Sequence, residues 1–196
     1  TPVLGSTEMW NSTLIIVGAV TMVYAAIHTL FRRDLKGILA YSTIAALGIL
    51  VFLIGQGTEG ALLAATLFIV VHALYKATLF LVTGIIDHQT HSRDVTILKG
   101  LRKVMLPVAI AGFLAAISSA GIPPTLGFLG KELTYESTLA VIGTPLLWIA
   151  LILITKILLL HAGFVAGISP FVGKLPDQFR ETKMPSPVLW LPPLLL

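Results

Sequence analysis

The chain reads as an all-α, polytopic transmembrane helix bundle with one broken helix, about five full spans and the start of a sixth. Three observations predict this. Of the 196 residues 56% are hydrophobic and only 11% charged, and mean hydropathy is +0.96. Apolar runs of membrane-crossing length recur along the chain. The basic residues gather in alternate links between those runs, the pattern of a multi-pass protein.

The first span covers 13–31, with Trp10 at its start as an interfacial aromatic and His28 near its far end. The second covers 37–55, with Tyr41, Ser42 and Thr43 in its first turns, residue types that usually hydrogen-bond between helices. A glycine-rich turn, GQGTEG, follows. The third span, 60–84, carries Lys76 near its middle. An ammonium at that depth faces protein or water and has a partner, or snorkels to the interface. His72 lies four residues earlier, on the same helix face, with Tyr75 and Thr78 close by. Burial disfavours the charged form of a lysine, so such a group can trade protons.

The next stretch, 85–103, reads as a polar link of almost 20 residues. His88, His91, Asp87 and Asp94 in it match no structural zinc spacing, and a solvated loop accounts for them; no metal is expected. The fourth segment, 104–141, is too long for one straight crossing, and its middle reads SSAGIPPTLG. Two prolines there remove N–H donors and break the helix. Freed backbone groups in a membrane need protein or water around them, so the break marks a cavity. Lys131 and Glu132 follow it. The fifth span, 144–167, has Lys156 near its centre; His161, five residues on, sits about 140° further round the helix. Gly163 and Gly167 make one small-residue pair.

Arg32, Arg33 and Lys36 lie in the first link, Arg93, Lys99, Arg102 and Lys103 in the third, and Lys174, Arg180 and Lys183 after the fifth span. The opposite links, 1–11, 56–59 and 137–144, hold no Lys or Arg. By the positive-inside rule the basic links are cytoplasmic and the first residues lie outside. The net charge of +4 therefore speaks of membrane orientation, with no nucleic-acid partner. Lys76, Lys131 and Lys156 remain, all inside apolar segments, and need a separate cause.

The absence of cysteine excludes disulfides, thiolate catalysis and Cys-ligated metal. No HExxH, nucleophile elbow or phosphate loop is present, and Ser118-Ser119 has no dyad partner, which argues against an intramembrane enzyme. No cofactor is expected. Both ends read as cut, so the expectation is an internal piece of a longer protein.

DLKGILAYST at 34–43, HALYKATLFLVTGIID at 72–87 and AGIPPTLGFLGKE at 120–132 resemble the antiporter-like membrane subunits of Mrp-type cation/proton antiporters, respiratory complex I and membrane hydrogenases. FLVTGIIDHQTHSRD and PSPVLWLPPLLL are similar to the large A-type subunit of the Mrp antiporters. The resemblance implies an antiporter-like fold of two inverted repeats with broken helices. Residues 1–168 would be the second-repeat part, 169–188 a cytoplasmic loop and 189–196 the start of a further span. It implies a proton pathway through Lys76, His72 and Lys131, with Glu132, Lys156, His161 and Tyr75 as further candidates. Complex I relatives often carry a second histidine one turn before His72, where this chain has Phe68.

The function implied is proton translocation in a multisubunit monovalent cation (sodium)/proton antiporter, beside other subunits, protons, Na+ and lipid, in a bacterial inner membrane. The alternative is a proton-pumping membrane subunit of a complex I-like NADH:quinone oxidoreductase or membrane hydrogenase; a third reading is a structural scaffold with paired lysines. Hard cations want carboxylates or carbonyls. Glu132 and the carbonyls freed at the break are the candidates for a sodium site.

Overall fold

A computed structural model describes residues 7–140, 145–180, 182 and 184–196. Residues 1–6 and 141–144 of the opening and 137–144 links, and Lys183, lie outside the described residues. The elements are α1 (Glu8–Leu30), α2 (Leu35–Gly55), α3 (Glu59–Thr90), α4 (Leu106–Ala120), α5 (Leu126–Leu139), α6 (Pro145–Gly167) and α7 (Pro187–Leu195). Among the described residues four helices, α1, α2, α3 and the one opening at Pro145, are long and apolar enough to cross a membrane. The fourth apolar segment is divided into α4 and α5, of 15 and 14 residues, each too short to cross alone.

The break falls at Gly121–Thr125. Gly121 ends α4 in the left-handed region, φ 65°, and its N–H bonds back to Ile117 and Ser118. A residue without a Cβ is suited to that conformation. The Thr125 hydroxyl donates to the Ile122 carbonyl at 2.7 Å, satisfying one of the freed acceptors. The α5 backbone at Gly127 then lies directly against Ser118, with no space for a Cβ.

One expectation needs correction. Residues 85–90 are not loop but the last turns of α3, which runs to Thr90. Nothing in IIDHQT forbids a helix, and the real stop is His91, left-handed at φ 51°. Asp87 on these turns pairs with Lys36 of α2 at 2.7 Å.

Links expected on one side do lie together. Leu35 N–H donates to the Arg93 carbonyl and Val95 N–H to the Arg33 carbonyl, each at 3.0 Å. Gly100 N–H donates to Val172 at 2.9 Å, tying the third link to the loop after α6. Thr96 donates its backbone N–H and its hydroxyl to Asp94, which holds that carboxyl below the usual carboxylate range. At the opposite end Gln56 Nε2 donates to Thr138 Oγ1 at 3.4 Å, joining the α2–α3 turn to α5. The chain therefore alternates between two faces, one rich in basic residues.

Asp34 caps α2 through Gly37 N–H at 2.7 Å and also meets Arg93 Nε at 3.1 Å. Asp34→Ala is expected to lower the stability of the assembled protein by roughly 1 kcal/mol, chiefly through the lost cap. A thermal melt in detergent measures it; an unchanged midpoint would mean that water replaces the cap without loss.

Small residues bring the helices close. A Cβ on Gly18 would stand 2.5 Å from Phe52 N, and one on Gly48 2.5 Å from Met22 N, so α1 and α2 touch through their backbones. Between α4 and α6 the same is true of Gly112 and Gly167. Leu35, Leu39, Leu79, Ile86, Leu98, Leu101 and Met105 fill the core toward the basic face, each at most 1% exposed. Ala46, Ile49, Phe52, Leu53 and Ile152 fill it toward the other.

Candidate functional site

The apolar third span predicts a buried lysine, and α3 provides one. Lys76 is 8% exposed. Its ammonium does not snorkel. It donates to the Ser42 hydroxyl and, at 3.2 Å, to the Leu39 carbonyl, both on α2. Ser42 in turn donates to Leu39 O at 2.9 Å. Both acceptors are neutral, and among the described residues no carboxylate pairs with Lys76. From the sequence Ser42 reads only as a helix-packing residue. The signal that points to it is physical: a buried ammonium needs acceptors, and α2 is the neighbouring helix.

One turn earlier on α3, His72 is 9% exposed. Its Nδ1 is 2.7 Å from the Tyr75 hydroxyl, and the two rings meet edge to face at 5.1 Å. Its Nε2 is buried and, among the described residues, has no hydrogen-bond partner. The Phe68 ring lies tilted against the imidazole, with centroids 5.7 Å apart. The Lys156 ammonium of α6 lies 4.5 Å over the Phe68 ring, a cation–π contact. So Phe68 supplies a face that holds a cation and no atom that carries a proton.

Lys131 of α5 donates to the Gly121 carbonyl at 2.9 Å, an acceptor released by the break, and lies 5.4 Å from the Phe128 ring centroid. It makes no ion pair with Glu132 among the described residues. Lys76 and His72 lie one turn apart on α3, and the Phe68 ring stands against both His72 and the Lys156 ammonium of α6. Lys156, only a further candidate in the sequence, thus joins the His72 site through Phe68, while Lys131 sits at the break on α5. Glu132 and His161 are exposed. For a sodium site, Gly121 O is engaged by Lys131 and Glu132 faces outward.

A cavity of about 250 Å³ lies beside the break, lined by Tyr75, Thr78, Ser118, Thr125 and, from α7, Pro193 and Leu194. Tyr75, one of its lining residues, also meets His72 through its hydroxyl. Lys131→Met is expected to lower stability by about 1–3 kcal/mol, because the Gly121 carbonyl loses its donor. The melting midpoint of the complex tests this, and an unchanged value would mean the carbonyl finds water.

A bundle of helices long and apolar enough to cross a membrane, with one segment broken at its prolines and Lys76, His72 and Lys156 gathered inside it, defines a multi-pass membrane protein. Comparison with known proteins makes the class specific. The family model described as NADH:quinone oxidoreductase/Mrp antiporter, TM, matches residues 1–159. The chain belongs to that family.

Among relatives, it is 35% identical over 214 residues to the A1 subunit of a Na(+)/H(+) antiporter of Staphylococcus saprophyticus, covering 100% of this chain and 26% of that protein. It is 40% identical over 138 residues to a Rhizobium meliloti protein named as a probable K(+)/H(+) antiporter subunit, covering 70% of this chain and 14% of that one. The fold matches a chain in the structure of the Mrp complex from Dietzia sp. with a TM-score of 0.84 and 36% identity, covering 98% of this chain and 21% of the other. The chain thus spans about a quarter or less of these relatives' lengths.

Proposed function

We propose that this chain is part of a proton-translocating subunit of a multisubunit monovalent cation/proton antiporter. It is a transporter subunit rather than an enzyme, and its partners are the other subunits, protons, a monovalent cation and lipid. The observation that carries the reading is Lys76: a buried ammonium held, among the described residues, by a serine hydroxyl and a backbone carbonyl. A hydroxyl can accept from the charged lysine and donate to the neutral one, so both protonation states find a partner. A carboxylate would favour the charged form instead. Protons pass along Lys76, His72, Lys156 and Lys131, helped by water in the cavity at Tyr75. Each lysine alternates between charged and neutral as its neighbour changes.

The resemblance to the large Mrp subunit supports assigning residues 1–168 to the second-repeat part of the transmembrane domain, 169–188 to a cytoplasmic loop and 189–196 to the start of a further span. The gathered basic links support a cytoplasmic face there and an outside start, in a cell's inner membrane. The relatives' names support antiport over redox-driven pumping, and they divide between sodium and potassium. The test is addition of each cation to everted vesicles carrying the full-length complex, followed with a pH-gradient dye. Sodium is expected to collapse the gradient. No collapse with either cation, in assembled complex, would overturn the reading.

A further inference from the structure

Thr83 is fully buried, and among the described residues its hydroxyl has no hydrogen-bond partner. Other threonines in these helices return their hydroxyls to a carbonyl one turn back, as Thr78 does to Leu74 and Thr90 to Ile86. Thr83 does not. A buried polar group left unpaired is uncommon and calls for an explanation, often water or function.

Its position offers one. Thr83 is seven residues after Lys76 and four before Asp87. Seven residues are about 10 Å along a helix and return to within about 20° of the same face. Asp87 marks the basic face, where it meets Lys36 at 2.7 Å. Lys76 to Asp87 is therefore about 16 Å along the helix axis. The core there is apolar: Leu35, Leu39, Leu79 and Ile86 are each at most 1% exposed. Thr83 brings the one side-chain hydroxyl on α3 between Lys76 and Asp87 that leaves its backbone unbonded. Beside Lys76, between Ser42, Ser119 and Gly163, is a void of about 10 Å³. That is close to the smallest that holds one water.

We infer that Thr83 is the hydroxyl step of a proton route between Lys76 and the basic face of the bundle, ending at the Lys36–Asp87 pair. A hydroxyl both donates and accepts, so it can hand a proton's hydrogen bond from one water to the next. The apolar side chains around it keep that route narrow, and water crosses only when they part. The inference rests on the proton-translocation reading above and adds the side from which Lys76 is reached.

The test uses the full-length antiporter complex in everted vesicles, comparing Thr83→Val, Thr83→Ser and Lys76→Ala with wild type. Valine keeps the shape and removes the hydroxyl; serine keeps the hydroxyl. Cation-driven proton exchange is expected to slow about tenfold in Thr83→Val, the factor that one hydrogen bond of ordinary net strength sets. Thr83→Ser is expected to restore most of the rate, which a purely steric role would not do. If Thr83→Val does not assemble, Thr83→Ala removes the same hydroxyl and carries the same expectation. A Val or Ala variant at wild-type rate, or a Ser variant as slow as Val, overturns the inference while Lys76→Ala is inactive. Exchange that persists in Lys76→Ala overturns both this route and the proton reading beneath it.

Discussion

Lys76→Ala is expected to abolish cation-driven proton exchange in the assembled full-length complex, and Lys76→Arg is expected to abolish it too. The alanine variant lacks the proton carrier. The arginine variant keeps a cation at the site but one that does not release its proton. A fall of about 100-fold or more is expected in each, the scale of losing a positioned proton-transfer group. Assembly is expected to survive in the alanine variant, because Ser42 already donates to Leu39 O at 2.9 Å and is not orphaned when the ammonium goes. Everted vesicles and a pH-gradient dye give the rate, and size exclusion gives the assembly. A scaffold role predicts the reverse: poor assembly with alanine and normal exchange with arginine. Exchange at the wild-type rate in either assembled variant would sink the proton-carrier reading.

Much of the fold could be read from residue pattern, because a bilayer asks a simple question of each segment. The four long spans among the described residues follow from apolar length, and the break follows from Pro123, Pro124 and Gly121. The site was legible in part. Lys76 stands out because a charge in an apolar run has no cheap explanation. Its acceptors did not stand out, because Ser42 on another helix looks like any packing serine. The end of α3 is hidden from the sequence for a related reason. Asp87 and His88 look like loop residues in water, yet Asp87 is held against Lys36, so the helix continues. The place of Lys156 depends on how far α6 leans toward Phe68, a packing outcome that spacing along one helix does not contain.

Gly48→Leu prevents α1 from seating on α2, and the complex carrying it is expected to fail to assemble. Without a hydrophobic drive between helices in lipid, close approach at small residues is what holds such pairs together. At Gly48 even a Cβ would stand 2.5 Å from Met22 N and 2.8 Å from Met22 Cα. Those are backbone atoms, so no rotamer change relieves the clash; the two helices must separate. Ordinary overpacking costs about 1–3 kcal/mol because side chains yield. Here the loss should exceed that range, and Gly48→Ala should already lower the melting midpoint of the detergent-solubilised complex. Gly84 supplies the contrast. It sits inside α3 with nothing within 4 Å of where a Cβ would be. Gly84→Ala is expected to raise the midpoint slightly, since alanine is the better helix former by about 1 kcal/mol. If Gly48→Ala melts with wild type while Gly84→Ala rises, α1 and α2 lie further apart than their glycines indicate. If both fall together, the loss comes from changing glycine as such and not from the α1–α2 contact.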